Sequence, residues 1–199
     1  MTTWPIALER DIQPFGLARA ALEGRDLLLW RDDGGQIHVW NDLCPHRSVR
    51  LSAGRNLGDC VQSAYHGWRF GASGALVAIP AEHHRPLPDI RVKTVNSKVA
   101  FGFVWATVES ESLSPPEFSP QKDEVLLRPL PINTPAEAVR ANLSRLPAIR
   151  LIVTPTSSAS CKLFGFAKAK NQATSLQTAR WANHRLNALR RFVEARSAS

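Results

Sequence analysis

Two short segments hold the residues best suited to metal chemistry. Cys44-Pro45-His46-Arg47 presents a thiol and an imidazole two positions apart. After sixteen intervening residues comes Ser63-Ala64-Tyr65-His66-Gly67-Trp68, with a hydroxyl and an imidazole three positions apart. Thiolate and imidazole are iron ligands. A serine hydroxyl stays protonated near neutral pH unless a metal lowers its pKa, and as an oxygen donor it is harder than a thiolate. A lone histidine is usually an ordinary surface or core residue, but two in matched loop contexts at fixed spacing are a motif.

The two loops resemble the Rieske non-haem iron oxygenases, specifically the N-terminal Rieske domain of their oxygenase component. That family's pattern is Cys-x-His, sixteen or seventeen residues, then Cys-x-x-His. Cys44, His46 and His66 fall on three of its four ligand positions, and Ser63 falls on the fourth. The flanking residues are similar too: Val49-Arg50-Leu51-Ser52-Ala53-Gly54-Arg55, Tyr65-His66-Gly67-Trp68-Arg69-Phe70, and Gly74 followed by Ile79-Pro80. The likeness covers roughly the first 110 residues, one domain's worth. It implies an all-β Rieske-type [2Fe–2S] domain, with antiparallel sheets carrying the two ligand loops at one tip. It also implies a cluster with two thiolates on one iron and two imidazoles on the other. The cofactor-binding set is then Cys44, His46, Ser63 and His66, with Cys44, His46 and His66 as metal ligands. With an oxygen donor at the fourth position, cluster loading is expected to be weak or absent.

Cys60 is the alternative sulfur. It lies three residues before Ser63, about 10 Å away along an extended chain. An odd offset turns its side chain to the opposite face. It could ligate only if the loop were remodelled, so it reads as a small buried strand residue. His83 and His84 fall in a polar loop and read as solvated, while His38 in a strand and His184 in a helix receive no role.

These loops need a β scaffold, and the first half supplies its signals. Residues 26–31 form a short apolar strand, Asp32-Asp33-Gly34-Gly35 a turn, and residues 37–40 the returning strand of a hairpin. Residues 60–65 and 68–70 flank the second loop, residues 71–74 turn, and residues 99–105 read as the strand that closes the domain. Trp30, Trp40, Trp68 and Trp105 read as core or loop-packing residues.

The character of the chain changes near residue 110. Pro115, Pro116, Pro120, Pro129, Pro131 and Pro135 crowd the stretch 111–135, which reads as a linker. Residues 136–199 read as a basic tail, partly helical and otherwise poorly ordered or loosely packed. Its helix is expected over 175–196, where Ala182, Leu186, Leu189 and Val193 share one face. Residues 1–123 carry 13 Lys+Arg against 14 Asp+Glu, and residues 124–199 carry 12 against 3, so the net charge of +8 belongs to the tail. Arginines on a helix can neutralise phosphates, so nucleic-acid binding is an alternative function. No recognised binding motif accompanies the charge, and a solvated basic end is preferred.

In the oxygenases a second domain holds a mononuclear iron with two histidines and a carboxylate. Here no Asp follows Asp123 and His184 is the single histidine after His84, so no mononuclear iron is expected. The composition of the tail reads as a diverged, truncated or out-of-frame end. Three cysteines do not suggest a disulfide framework, and neither a signal peptide nor an apolar span is visible. The expectation is a cytoplasmic chain without membrane contact. It would act as an iron–sulfur oxidoreductase domain, moving single electrons in an oxygenase system from a reductase or ferredoxin. A degenerate Rieske fold that has lost its cluster is the alternative.

Overall fold

A computed structural model describes residues 3–81, 86–107, 113, 118–169 and 174–197. His83 and His84 lie outside the described residues.

The chain opens with β1 (Trp4–Leu8), β2 (Leu17–Leu22), β3 (Arg25–Arg31) and β4 (Ile37–Asn41). β2, β3 and β4 form an antiparallel sheet with β3 in the centre. Leu27, Leu28, Leu29 and Trp30 of β3 are all fully buried. Alternate residues face opposite sides: Leu27 and Leu29 join a core with Ile6, Val39 and Val104, while Leu28 and Trp30 join one with Cys44, Val61 and Phe70. A strand covered on both faces reads as an unbroken apolar run, which explains its sequence. Each such leucine contributes about 1.5–3 kcal/mol by leaving water.

β5 (Arg55–Asn56), β6 (Cys60–Gln62), β7 (Arg69–Gly71) and β8 (Leu76–Ala78) form a second antiparallel sheet. β9 (Asn96–Ala100) and β10 (Phe103–Thr107) complete a third with β1, in the order β1-β10-β9. The first ligand loop follows β4, and the second joins β6 to β7.

The region beyond residue 123 departs from the sequence expectation. β11 (Glu124–Leu126), β12 (Leu130–Ile132), β13 (Ile149–Ser157) and β14 (Ser160–Lys168) form a four-stranded antiparallel sheet, with the short helix α1 (Ala136–Arg140) between β12 and β13. β11 and β12 thus lie within the stretch read as a linker. Both flank one edge of β14 while β13 takes the other, and Leu127 N–H donates to the Gly165 carbonyl between them. On an edge strand one side of the backbone needs no partner. Pro131, opposite Lys162, therefore removes no ladder bond that the sheet requires.

The sheet is packed on both faces, so the tail is neither loose nor poorly ordered over these strands. Ile149, Val153, Cys161, Leu163 and Ala167 face the helix α2 (Ser175–Ser197), meeting Ala182, Leu186, Leu189 and Val193. Ile152, Phe164 and Phe166 face the N-terminal strands and share a core with Leu8, Phe103 and Trp105. Thr154 Oγ1 donates to the Pro5 carbonyl at 2.8 Å, tying β13 to β1. Thr174 and Gln177 cap α2 reciprocally, each side chain accepting the other's backbone N–H. The tail's basic residues are partly structural. Arg150 pairs with the buried carboxylate of Glu124 at 2.8 Å and lies over the Phe118 ring.

Candidate metal centre

The first loop is closed by its own backbone. Cys44 N–H donates to the Val49 carbonyl and Ser48 N–H to the Cys44 carbonyl, both at 2.8 Å. Its base is braced by Asp42, a fully buried carboxylate. Asp42 accepts from the Ser52 N–H at 2.7 Å, the Ser52 hydroxyl at 2.6 Å and the Arg50 guanidinium at 3.4 Å. Arg50 also reaches Asp26 at 2.8 Å, so the loop is pinned to β3 as well. Two acceptors beside Arg50 hold its pKa above the ordinary value, the Asp26 hydrogen bond contributing most.

The second loop is pinned where it leaves β6, with Ser63 N–H donating to the Trp68 carbonyl at 2.8 Å. Gly67 turns it with φ of +68°, and a Cβ there would stand 3.1 Å from the Pro80 ring. Gly54 seats the first loop's end against β6: a Cβ at this position would lie 2.0 Å from the Gln62 carbonyl oxygen.

These constraints bring two of the motif residues together. His46 Nδ1 and His66 Nδ1 are 3.1 Å apart. Two ring nitrogens bound at about 2.0–2.1 Å to one tetrahedral metal would be about 3.3–3.4 Å apart, so the pair is close to a ligating geometry. Trp68 lies flat on His46, with ring centroids 4.1 Å apart and planes inclined by 6°. Tyr65 packs against His66 at 4.1 Å. The stacks fix which nitrogens converge, and nothing in the sequence announced that Trp68 would do so. Partial desolvation, followed by the neighbouring His66 and Arg47, holds the His46 pKa below the usual imidazole value. The neutral, metal-ready form is thereby favoured.

Cys44 and Ser63 are both buried, beneath the half-buried His46 and the exposed His66. Cys60 sits in β6 opposite Gly71, and burial pushes its thiol up to about 11. Among the described residues no three His, Cys, Asp or Glu side chains converge on one point. That is compatible with a two-iron site, which asks two protein donors of each iron. His184 lies on α2, far along the chain from the loops, and His38 bonds Asp32 at 2.7 Å.

Residues 2–96 match the family model of the Rieske [2Fe-2S] domain. This stretch belongs to the Rieske family. Its β architecture and paired loops are those expected from the resemblance in the sequence. Oxidoreductase NdmD of Pseudomonas putida is 29% identical over 170 residues, covering 84% of this chain and 28% of that protein. The phthalate 4,5-dioxygenase oxygenase subunit of the same species is 32% identical over 145 residues, covering 71% and 30%. The structure of Pseudomonas putida CBB5 NdmA superposes with a TM-score of 0.81 at 17% identity, covering 96% of this chain and 80% of that one. Apo dicamba monooxygenase gives 0.79 at 16%, covering 98% and 85%. The two superpositions establish a shared fold that extends through the C-terminal sheet. The chain spans under a third of the length of the curated relatives.

A Rieske domain calls for a [2Fe–2S] cluster, and the donor set can be tested against it. The histidine half fits by atom type and separation. The thiolate half has one sulfur, Cys44, and a hydroxyl at Ser63. The Rieske assignment of the fold is therefore firm, and the donor set is one thiolate short. Among the described residues no helix is long and apolar enough to cross a membrane.

Proposed function

We propose that this chain is a single-electron carrier of an oxygenase system, with its redox centre at the tip formed by the two loops. The observation that carries the reading is the convergence of His46 Nδ1 and His66 Nδ1 to 3.1 Å. When bound, a [2Fe–2S] cluster takes up and passes on one electron at a time. His46 and His66 would hold the outer iron. Cys44 would hold the inner one, with Ser63 at the fourth position. Cys44 is buried, while exposure of His66 brings the histidine side of the site to the surface. Ligation through Nδ1 leaves each Nε2 to exchange a proton or to meet a carboxylate on a partner.

The rim supports contact with such a partner. Leu43 and Tyr65 flank the histidines and are 50% and 65% exposed. The partner would be a reductase or ferredoxin, or the oxygenase centre that receives the electron. The sequence supports no mononuclear iron site within this chain, so oxygen activation belongs to another protein or segment.

The test is anaerobic loading of the Ser63→Cys variant with iron and sulfide, then reductive titration. Uptake of about one electron per chain, abolished by His66→Ala, is expected. A variant that holds iron and sulfide yet accepts no electron would exclude the carrier role.

A further inference from the structure

The outer face of the sheet that carries the second loop bears a row of cations. Arg55 pairs with Gln62, and Gln62 with Arg69, across β5, β6 and β7. Paired residues share a face, so these three project together, while Asn56, Val61 and Phe70 beside them are buried on the other side. Two strand spacings set Arg55 and Arg69 about 10 Å apart. Gln62 ends β6 and Arg69 begins β7, so the row stands at the base of the loop that holds His66. Arg47 follows His46 on the other loop, and all three arginines are exposed.

Arginines that serve the fold in this half of the chain have acceptors. Arg50 reaches Asp26 and Asp42, and Arg31 donates to the carbonyls of Glu9, Ile12 and Gly35. The side chains of Arg47, Arg55 and Arg69 make no ion pair among the described residues. Asp59 is the one carboxylate between residues 43 and 81, and it precedes the far end of β6. Residues 1–123 carry 13 Lys+Arg against 14 Asp+Glu, so the cationic face reflects segregation of charge and not an excess of it. Leu43 and Tyr65 expose apolar surface on the same two loops. Apolar side chains accompanied by unpaired arginines suit a protein partner, because a phosphate backbone would have no use for an exposed leucine.

Resting on the carrier reading above, we infer that the tip docks a small acidic protein that donates single electrons. Its carboxylates meet Arg47, Arg55 and Arg69, and its apolar surface meets Leu43 and Tyr65. The arginines steer the encounter and fix the orientation, and the apolar contacts hold the complex once formed. Basic residues of the C-terminal region take no part.

The test measures association of the full chain with a plant-type [2Fe–2S] ferredoxin of strongly acidic surface, with basic cytochrome c as the control. At low ionic strength the ferredoxin should bind and cytochrome c should not; absence of ferredoxin binding would overturn the proposal. Arg47→Gln, Arg55→Gln and Arg69→Gln combined should slow association about tenfold and flatten its salt dependence. Arg128→Gln, Arg180→Gln and Arg191→Gln combined remove the same charge from exposed positions of the C-terminal region and should leave association nearly unchanged. Equal slowing by the two triple variants would overturn the proposal in favour of non-specific attraction. Tyr65→Ser should speed dissociation about fivefold. Unchanged dissociation in that variant, with an oligonucleotide bound as tightly as the ferredoxin, would overturn it in favour of a polyanion. One-electron uptake by Ser63→Cys without ferredoxin binding would remove the docking and leave the carrier function standing. Ferredoxin binding without electron uptake would remove the carrier function and the donor assignment with it.

Discussion

The Nδ1 atoms of His46 and His66 lie 3.1 Å apart although twenty residues separate them in the chain. Trp68 holds one ring from above, at 4.1 Å and nearly parallel, and the Asp42–Ser52 bonds hold the loop from below. The pair is thus presented before any metal arrives, which reduces the ordering entropy that binding must overcome.

Removing either imidazole should uncouple the site from metal. His46→Ala and His66→Ala should each cut iron bound after reconstitution to background, while the far-ultraviolet circular dichroism stays unchanged. Retention of iron in both variants would mean that the histidines are not ligands.

Cys60 and Ser63 should behave differently. Ser63→Cys should raise iron and sulfide towards about two of each per chain. Cys60→Ser should change neither, because Cys60 lies within β6 and its thiol is pushed up to about 11. Loss of iron in Cys60→Ser would show that the second loop is remodelled around that sulfur.

The loop brace has its own consequence. Asp42→Ala leaves the Ser52 N–H and hydroxyl without their acceptor, Arg50 keeping Asp26, and should cost about 1–3 kcal/mol of stability. Denaturant unfolding measures this cost. Unchanged stability would mean that water replaces the carboxylate.

The pH dependence follows from the lowered His46 pKa. Its neutral form is favoured in the fold, so the stability it contributes is full above the unfolded value of about 6.5 and is lost as pH falls through the lower folded value. Urea midpoints should therefore fall from pH 7.5 to pH 5 by more in the wild type than in His46→Gln. Parallel profiles would contradict this.

The C-terminal sheet should unfold together with the N-terminal strands. Phe166→Ala should destabilise the whole chain by about 3–5 kcal/mol within one cooperative transition. Arg150→Ala strands the buried Glu124 carboxylate. Because the guanidinium is partly exposed, the cost should be about 2 kcal/mol, below that of a fully buried pair. Two separate melting transitions would show that the sheet folds independently.

The sequence made the site legible to the extent that chemistry is carried by residue type. Cys44, His46 and His66 declare themselves by spacing, and β3 by its apolar run. The α2 face is equally plain, since Ala182, Leu186, Leu189 and Val193 repeat with the helix and all four are buried. The C-terminal sheet was hidden. Pro129 and Pro131 suggest a linker, and only the pairing of Leu130 and Ile132 with β14 reveals that the proline stands on an open edge. Two-sided burial of β13 and β14 also masks their alternation, because both faces carry apolar residues. The bracing roles of Trp68 and Asp42 depend on contacts across the loops, which a linear reading does not reach.

The central claim is that His46 and His66 present the same iron of a one-electron centre. Pulsed paramagnetic resonance of the reconstituted, dithionite-reduced Ser63→Cys protein, whose donor set is complete, tests it most directly. A [2Fe–2S] signal carrying two histidine nitrogen couplings is predicted, with the signal lost in His46→Ala and in His66→Ala. A reduced cluster without nitrogen coupling, or no cluster in Ser63→Cys, would contradict it.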